Sequence, residues 1–416
     1  MTDDGAVRAA DPVVAALLER EATRQRSTLN LIASESIPSL AVRAAQASMA
    51  SAKTAEGYPG ARYHTGTRIV DELERLAIER AKSVFGADHA NVQPNSGVNA
   101  NLAVYAALLK PGDPVLAMDL AHGGHLSHGA SASITGKVYR FRHYGVGRTS
   151  EVIDLDEVRS LALEHRPRLL VAGGSSYPRS IDYGGLRAIA DEVEAGFLVD
   201  MAHIAGLVAA GVTPSPVAHA DVVTFTTYKT MLGPHGGVIL SRGSLATRID
   251  RGVFPGTQGT PSFGMMAAKA VCLGAARTAE FRDRMRLVVD DAAALATALA
   301  ERGYRLVAGG TDTHLILVDV RSTGLTGDVA ERALEAVGIL SNRNVIPFDP
   351  GTPRQPGGLR LGLTGLAERG MDPPAMRSVA ELIDRVLRAP QDPDVLAAAG
   401  AQVDGLCRRH PLDVDG

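Results

Sequence analysis

From Asp71 onward the apolar positions fall into two alternating rhythms. "DELERLAIERAKSVFG", Asp71–Gly86, repeats apolar residues at helical spacing and stops on glycine. Short apolar runs then alternate with amphipathic stretches: "PVLAMDL" from Pro114, "RLLVAGGSS" from Arg168, "GFLVDMAH" from Gly196, "DVVTFTT" from Asp221 and "GGVILS" from Gly236. That alternation predicts an α/β chain with a mostly parallel sheet and helices on both faces. A helix-rich bridge covers Ser262 to about Arg302. Beyond it, "HLILVDV" and "GLRLGL" read as strands and "PAMRSVAELIDRVLRA" as a helix, which predicts a smaller C-terminal α/β domain. Residues 1–30 read as an N-terminal arm carrying one helix, 31–282 as a large domain, and 283–416 as a small domain. Its Asp- and Pro-rich tail from about Pro390 is expected to be loosely held. Between arm and regular pattern lie "LNLIASESIPS" and "KTAEGYPGARYHTGTR", rich in Gly, Ser and Thr, which need partners to order them.

Composition narrows the class. The formal net charge of −3 gives no electrostatic footprint for nucleic acid or an anionic membrane. Two cysteines, Cys272 and Cys407, allow no disulfide framework and fit a reducing compartment. The acidic start "MTDDGAVRAADPVV" lacks the apolar segment of a signal peptide, so a cytoplasmic location is expected.

In open parallel sheets ligands gather at the carboxyl ends of strands. "NVQPNSGVNAN" puts Ser96 and Gly97 where an apolar strand yields to a helix, a place that suits a phosphate. Asp200 and His203 end "GFLVDMAH", and Lys229 lies just past "DVVTFTT". Singly, Lys229 reads as a snorkelling surface lysine and Asp200 as a helix cap. Together they suit pyridoxal phosphate: the lysine takes the aldehyde, the aspartate keeps the pyridine nitrogen protonated and the loop holds the phosphate. Arg360, in "GLRLGL", offers a fork for a carboxylate or a surface ion pair. "DLAHGGHLSHG" carries His122, His125 and His128, whose spread in a glycine-rich turn does not converge easily on one ion, so no metal is expected. Glu56 beside a Gly-Pro turn becomes chemically interesting only when another subunit takes it into a site.

The chain resembles serine hydroxymethyltransferases over roughly residues 10–390. The resemblance rests on "LNLIASES", "AEGYPGARY", "ANVQPNSG", "AVYAALLKPGD", "MDLAHGGHLSHG", "VDMAHIAGLVAAGVTPSP", "TTYKTMLGPHGG", "FPGTQGTP" and "NRNVIPFDP". It implies a fold-type I pyridoxal-phosphate transferase, an obligate homodimer with shared active sites, and tetrahydrofolate as co-substrate. By resemblance Lys229 is the imine-forming lysine, Asp200 the partner of the pyridine nitrogen, His203 the ligand of the ring hydroxyl and His125 the imidazole on the ring face. Ser96, Gly97, Ser175, Gly259, Thr260 and Thr54 fall among cofactor-binding positions. Ser34, Arg360, His64 and Tyr63 match positions around the substrate, and Leu120, Gly124 and Asn344 fall in folate-contacting segments. Glu56 matches the family's proton-handling glutamate, supplied across the interface.

Five positions depart from the family's usual pattern. Tyr228 stands where a histidine is expected before the lysine, Thr54 and His64 where tyrosines are, Val98 where a hydroxyl residue is, and Thr260 where a glycine is. With Tyr228 counted among the catalytic residues, these changes suggest a shifted amino-acid substrate, such as D-alanine giving α-methylserine. The alternatives are a folate-independent threonine transaldolase or aldolase, and ordinary serine hydroxymethyl transfer.

Overall fold

The computed structural model describes residues 4–412; the expected arm and tail extend beyond these at both ends. Seven strands form the main sheet: β1 (His89–Asn91), β2 (Pro114–Met118), β3 (Arg140–Tyr144), β4 (Leu169–Ala172), β5 (Gly196–Asp200), β6 (Val222–Thr226) and β7 (Gly237–Ser241). Their spatial order is β1-β7-β6-β5-β4-β2-β3. The run from β6 to β3 is parallel, while β7 lies antiparallel to both β6 and β1. β7 reverses because only a tight turn, not a helix, separates it from β6.

Each apolar run serves two cores, since successive side chains point to opposite faces. Leu116, Leu170, Phe197, Val199, Val223 and Phe225 enter one cluster. Their neighbours Val115, Ala117, Leu169, Val171, Leu198 and Val222 enter the other, with Ala100, Ala103 and Val104 of the helix Gly97–Leu108. The expected strands are all present. β3 was not expected: it is an edge strand whose "RFRHY" alternates exposed and half-buried positions.

The C-terminal part carries an antiparallel sheet of β8 (Arg305–Leu306), β9 (Leu315–Asp319), β10 (Asn342–Asn344) and β11 (Gly358–Gly362), in the order β8-β9-β11-β10. The helix Ala279–Glu301 packs on the helix Pro373–Arg388 and on this sheet. The segment after the arm is held here as well: Leu29–Asn30 pairs in parallel with Ile339–Leu340, and the Gly362 N–H donates to Leu31 O. The stretch beyond Pro390 is not the loosely held tail that its Asp and Pro content suggested. Residues Pro393–Arg409 form a helix that buries Ala399, Val403, Leu406 and Cys407. Asp392 caps it by accepting from the N–H groups of Asp394 and Val395, and Pro393 occupies the first turn, where its missing N–H costs nothing. No helix among the described residues is long and apolar enough to cross a membrane.

Candidate active site

Thr226 ends β6, and the chain turns sharply after it. The Thr227 N–H donates to Gly236 O and the Gly233 N–H to Thr227 O, which closes a compact loop with Lys229 on its inner side. Lys229 is only 6% exposed. Burial lowers its ammonium to about 8, although the Asp200 carboxylate opposes the shift.

Asp200 ends β5 in the same cavity. Its Oδ2 accepts from Asn101 Nδ2 at 2.8 Å and from His128 Nε2 at 3.1 Å, and its Oδ1 from the Ala202 N–H at 3.0 Å. Burial alone would raise this carboxyl, yet the His128 and Asn101 hydrogen bonds and the nearby imidazoles hold it well below the usual range. The anchors are themselves fixed. Tyr105 O–H donates to His128 Nδ1 at 2.7 Å, and Thr224 Oγ1 donates to Asn101 Oδ1 at 2.6 Å. Asn101 also donates to Ser127 Oγ, which bonds His125 Nδ1 at 2.7 Å. His125 thus carries its proton on Nε2, and burial lowers it to about 4, so its imidazole is neutral. Ligand atoms of His125, His128 and Asp200 lie within 4.8 Å of one another. Both nitrogens of His128 and two lone pairs of Asp200 are already committed to protein partners, which makes this a hydrogen-bonded anchor for Asp200.

Ser96 is the N-cap of the helix Gly97–Leu108 and accepts from the Asn99 N–H at 3.1 Å. A side chain at Gly97 would meet Thr226 Cγ2 at 2.5 Å, so the helix start packs directly on β6. Val98 lies beside it and is exposed. Ser175 lines the cavity, and behind it Arg360 on β11 donates through Nη1 to Ser175 O at 2.7 Å and through Nη2 to Asn342 Oδ1 at 3.1 Å. Burial lowers this guanidinium to about 10. Arg360 Nε and Ser175 Oγ are buried with no protein partner, and each unmet group costs about 1–3 kcal/mol unless a ligand completes it. His203 stacks on His314, ring centroids 5.5 Å apart, and burial holds both well below the usual range. The donor set fits pyridoxal phosphate: a helix start for an anion, a lowered lysine, a charged aspartate, a neutral imidazole and unpartnered groups beside a bound arginine.

Tyr228 borders this cavity, but its ring stacks on His235 at 4.0 Å, with its centroid 5.9 Å from Lys229 Nζ. Ser36 Oγ fixes its carbonyl at 2.9 Å, and the Ile37 N–H is held by Glu368, whose carboxyl burial raises to about 8. Ser34 lies in this segment and lines a larger cleft, of about 1190 Å³, between the arm helix and the Tyr228–His235 turn. The cleft shares only Tyr228 with the cavity holding the charged chemistry.

A second group of expected residues lies together elsewhere. The Ala55 N–H donates to Thr260 Oγ1 at 2.9 Å, the Glu56 N–H to His64 Nδ1 at 3.3 Å, and Glu56 Oε1 lies beside Gly259. Thr54, His64, Gly259 and Thr260 are exposed, and Tyr63 is 76% exposed. None of these lines the cavity around Lys229. The loop beneath them is anchored internally. Arg62 pairs with Asp71 and Glu74 and donates to Gly57 O, while Gln93 Nε2 donates to both Gly57 O and Glu74 Oε1. Of the folate positions, Leu120 is exposed, Gly124 packs against the backbone of Met118 and Asp119, and Asn344 donates to Val345 O at 2.5 Å on β10.

The sequence does not single out Asn101, Thr224, Ser127 or His314, and it offers His128 as a metal ligand, as a ring-stacking imidazole or as a hydrogen-bonded histidine of a turn; the last is the one found. Asn101 lies one helical turn beyond Gly97 on a helix start already singled out, which was the available signal.

Comparison with known proteins agrees with this geometry. A family model described as serine hydroxymethyltransferase matches residues 7–383. The chain is similar to a serine hydroxymethyltransferase of Prochlorococcus marinus (strain MIT 9313), 51% identical over 411 residues, covering 98% of this chain and 96% of the relative. One from Synechococcus sp. (strain JA-3-3Ab) is 50% identical over 415 residues, covering 97% and 96%. The chain belongs to the serine hydroxymethyltransferase family, pyridoxal-phosphate-dependent one-carbon transferases that use tetrahydrofolate as co-substrate.

Proposed function

We propose that the protein catalyses ordinary serine hydroxymethyl transfer: it interconverts serine and glycine and exchanges the one-carbon unit with tetrahydrofolate. The observation that carries this reading is the convergence of Lys229, Asp200 and Ser175 on one cavity, with Arg360 held to Ser175 O behind it and Arg360 Nε and Ser175 Oγ left unpartnered. A cytoplasmic location goes with it, in keeping with two buried, unpaired cysteines.

Bound pyridoxal phosphate supplies an electron sink that lets a bond to the amino acid's Cα break. The chain's own residues prepare that event. With its ammonium lowered to about 8, Lys229 has a far larger neutral, nucleophilic share near neutral pH than an ordinary lysine. Asp200, kept charged by Asn101 and His128, holds a proton on the ring nitrogen. Neutral His125 would hold the cofactor without adding a competing charge. Arg360 would fix the substrate carboxylate and so orient the amino acid for cleavage at Cα. Glu56, carried by a second copy of the chain, handles the proton of the substrate hydroxyl. Ser96 and Gly97 take the phosphate at the helix start, with Gly259, Thr260 and Thr54 of the second copy beside it.

A second reading, hydroxymethyl transfer to D-alanine, is favoured by Tyr228, Thr54 and His64. The ordinary reading is better supported: Tyr228 stacks on His235, and relatives 50% and 51% identical over nearly the whole chain are serine hydroxymethyltransferases. The test is turnover of L-serine and α-methylserine with tetrahydrofolate, and of L-threonine without it. Serine is expected to be the best substrate by kcat/KM and to depend on folate. A preference for α-methylserine supports the second reading, and acetaldehyde release from threonine without folate that exceeds folate-dependent serine turnover in kcat/KM overturns both.

A further inference from the structure

Lys269 lies in the apolar helix Phe263–Ala275 and is 2% exposed. Its ammonium donates to three backbone carbonyls: Val92 O at 2.7 Å, Pro94 O at 2.8 Å and Gly237 O at 2.9 Å. An ammonium has three protons, and all three are used. Burying a lysine costs several kcal/mol unless it is fully bonded, so the position of these carbonyls matters. Val92 and Pro94 follow β1 and lead into Ser96. Gly237 opens β7, directly after the loop that holds Lys229. The Gly237 N–H donates to Pro94 O at 3.0 Å, and a side chain at Gly237 would collide with Ser96 O. A side chain at Gly236 would collide with Lys269 Cε, so Gly236 makes room for the lysine and Gly237 for the Ser96 backbone.

We propose that Lys269 is a positioning residue for the phosphate end of the cofactor site. It clamps the approach to Ser96 and Gly97 against the exit of the Lys229 loop, which fixes the distance between the anion-binding helix start and the amine. The lysine touches neither cofactor nor substrate and acts through backbone. This rests on the reading that Ser96 and Gly97 receive the phosphate.

The experiment compares dissociation constants of the apoenzyme for pyridoxal phosphate and for pyridoxal, which lacks the phosphate. Wild-type protein is expected to prefer the phosphorylated form strongly. Lys269→Met is expected to cut that preference at least tenfold, with pyridoxal affinity little changed. Gly236→Ala, which pushes a methyl group into the ammonium without removing a buried charge, is expected to do the same and covers the case in which Lys269→Met does not fold. Lys269→Arg, which keeps the charge, is expected to recover part of the preference. A general loss of stability would weaken both ligands together and leave the ratio alone. A folded variant whose ratio matches wild type overturns the role of Lys269. A wild-type protein with no preference overturns the phosphate assignment instead.

Discussion

Two regions of the molecule carry the expected chemistry, and they differ in completeness. Around Lys229 the chain finishes its own work: Asp200, Asn101, His128 and His125 are buried or nearly so and hold one another by hydrogen bonds. Around Glu56, equally well anchored from below by Arg62, Glu74 and Gln93, the functional side chains face outward. Anchoring without a cavity is what one half of a composite site looks like. In the proposed reading the charge chemistry and the carboxylate fork come from one chain, and Glu56 serves the site of another.

The largest expected effect tests the self-contained region. Lys229→Ala should lower turnover by on the order of 10³-fold or more and abolish the visible band of the bound cofactor, read by spectrophotometry. Glu56→Gln should lower serine turnover by about 10³-fold while leaving that band intact. Mixing the two inactive variants then sharpens the comparison. Hybrid dimers contain one site with both residues native, so activity should return when subunits exchange; if none returns in verified hybrids, Glu56 does not serve a neighbouring site. Arg360→Leu should lower kcat/KM for serine by about 10²-fold, chiefly through KM, because a carboxylate loses a fork of charged donors. Gln93→Leu leaves Gly57 O and Glu74 Oε1 short of a donor and should cost ~1–3 kcal/mol of stability by denaturant titration.

The smallest effect is in pH. With Lys229 at about 8, cofactor uptake by the apoenzyme should rise about tenfold between pH 7 and 9 in stopped-flow traces, and a flat profile would contradict a lowered amine. The stability effect has the same direction. The folded lysine titrates at about 8 against the ordinary 10.5 of a free lysine, so the unfolded chain binds more protons between those limits. This group's destabilisation is therefore complete below about pH 8 and is relieved as pH rises toward 10.5.

The strands β2 and β4 to β7 can be read from sequence because both sheet faces are buried, which turns each into an apolar run. The site residues Ser96, Asp200 and Lys229 follow from their places at strand ends. The edge strand β3 escapes because its polar residues meet solvent, and the final helix because an Asp- and Pro-rich start, which suggests a loose tail, is here a cap and first turn. Lys269 escapes for another reason. In "AAKAVC" it looks like the one solvated position of a helix, and only the fold brings three distant carbonyls to it.

The Gln93 side chain has a consequence for inheritance as well as for chemistry. It ties the loop of Glu56 to the segment that leads into Ser96. In the two-copy reading, those loops belong to different active sites. A single substitution there is felt twice in every dimer, once as a change in how a chain holds its own cofactor and once as a change in how it serves its neighbour. Variation that tunes substrate choice is then freer at the outward tips, where Thr54, His64 and Thr260 lie, than at the shared root.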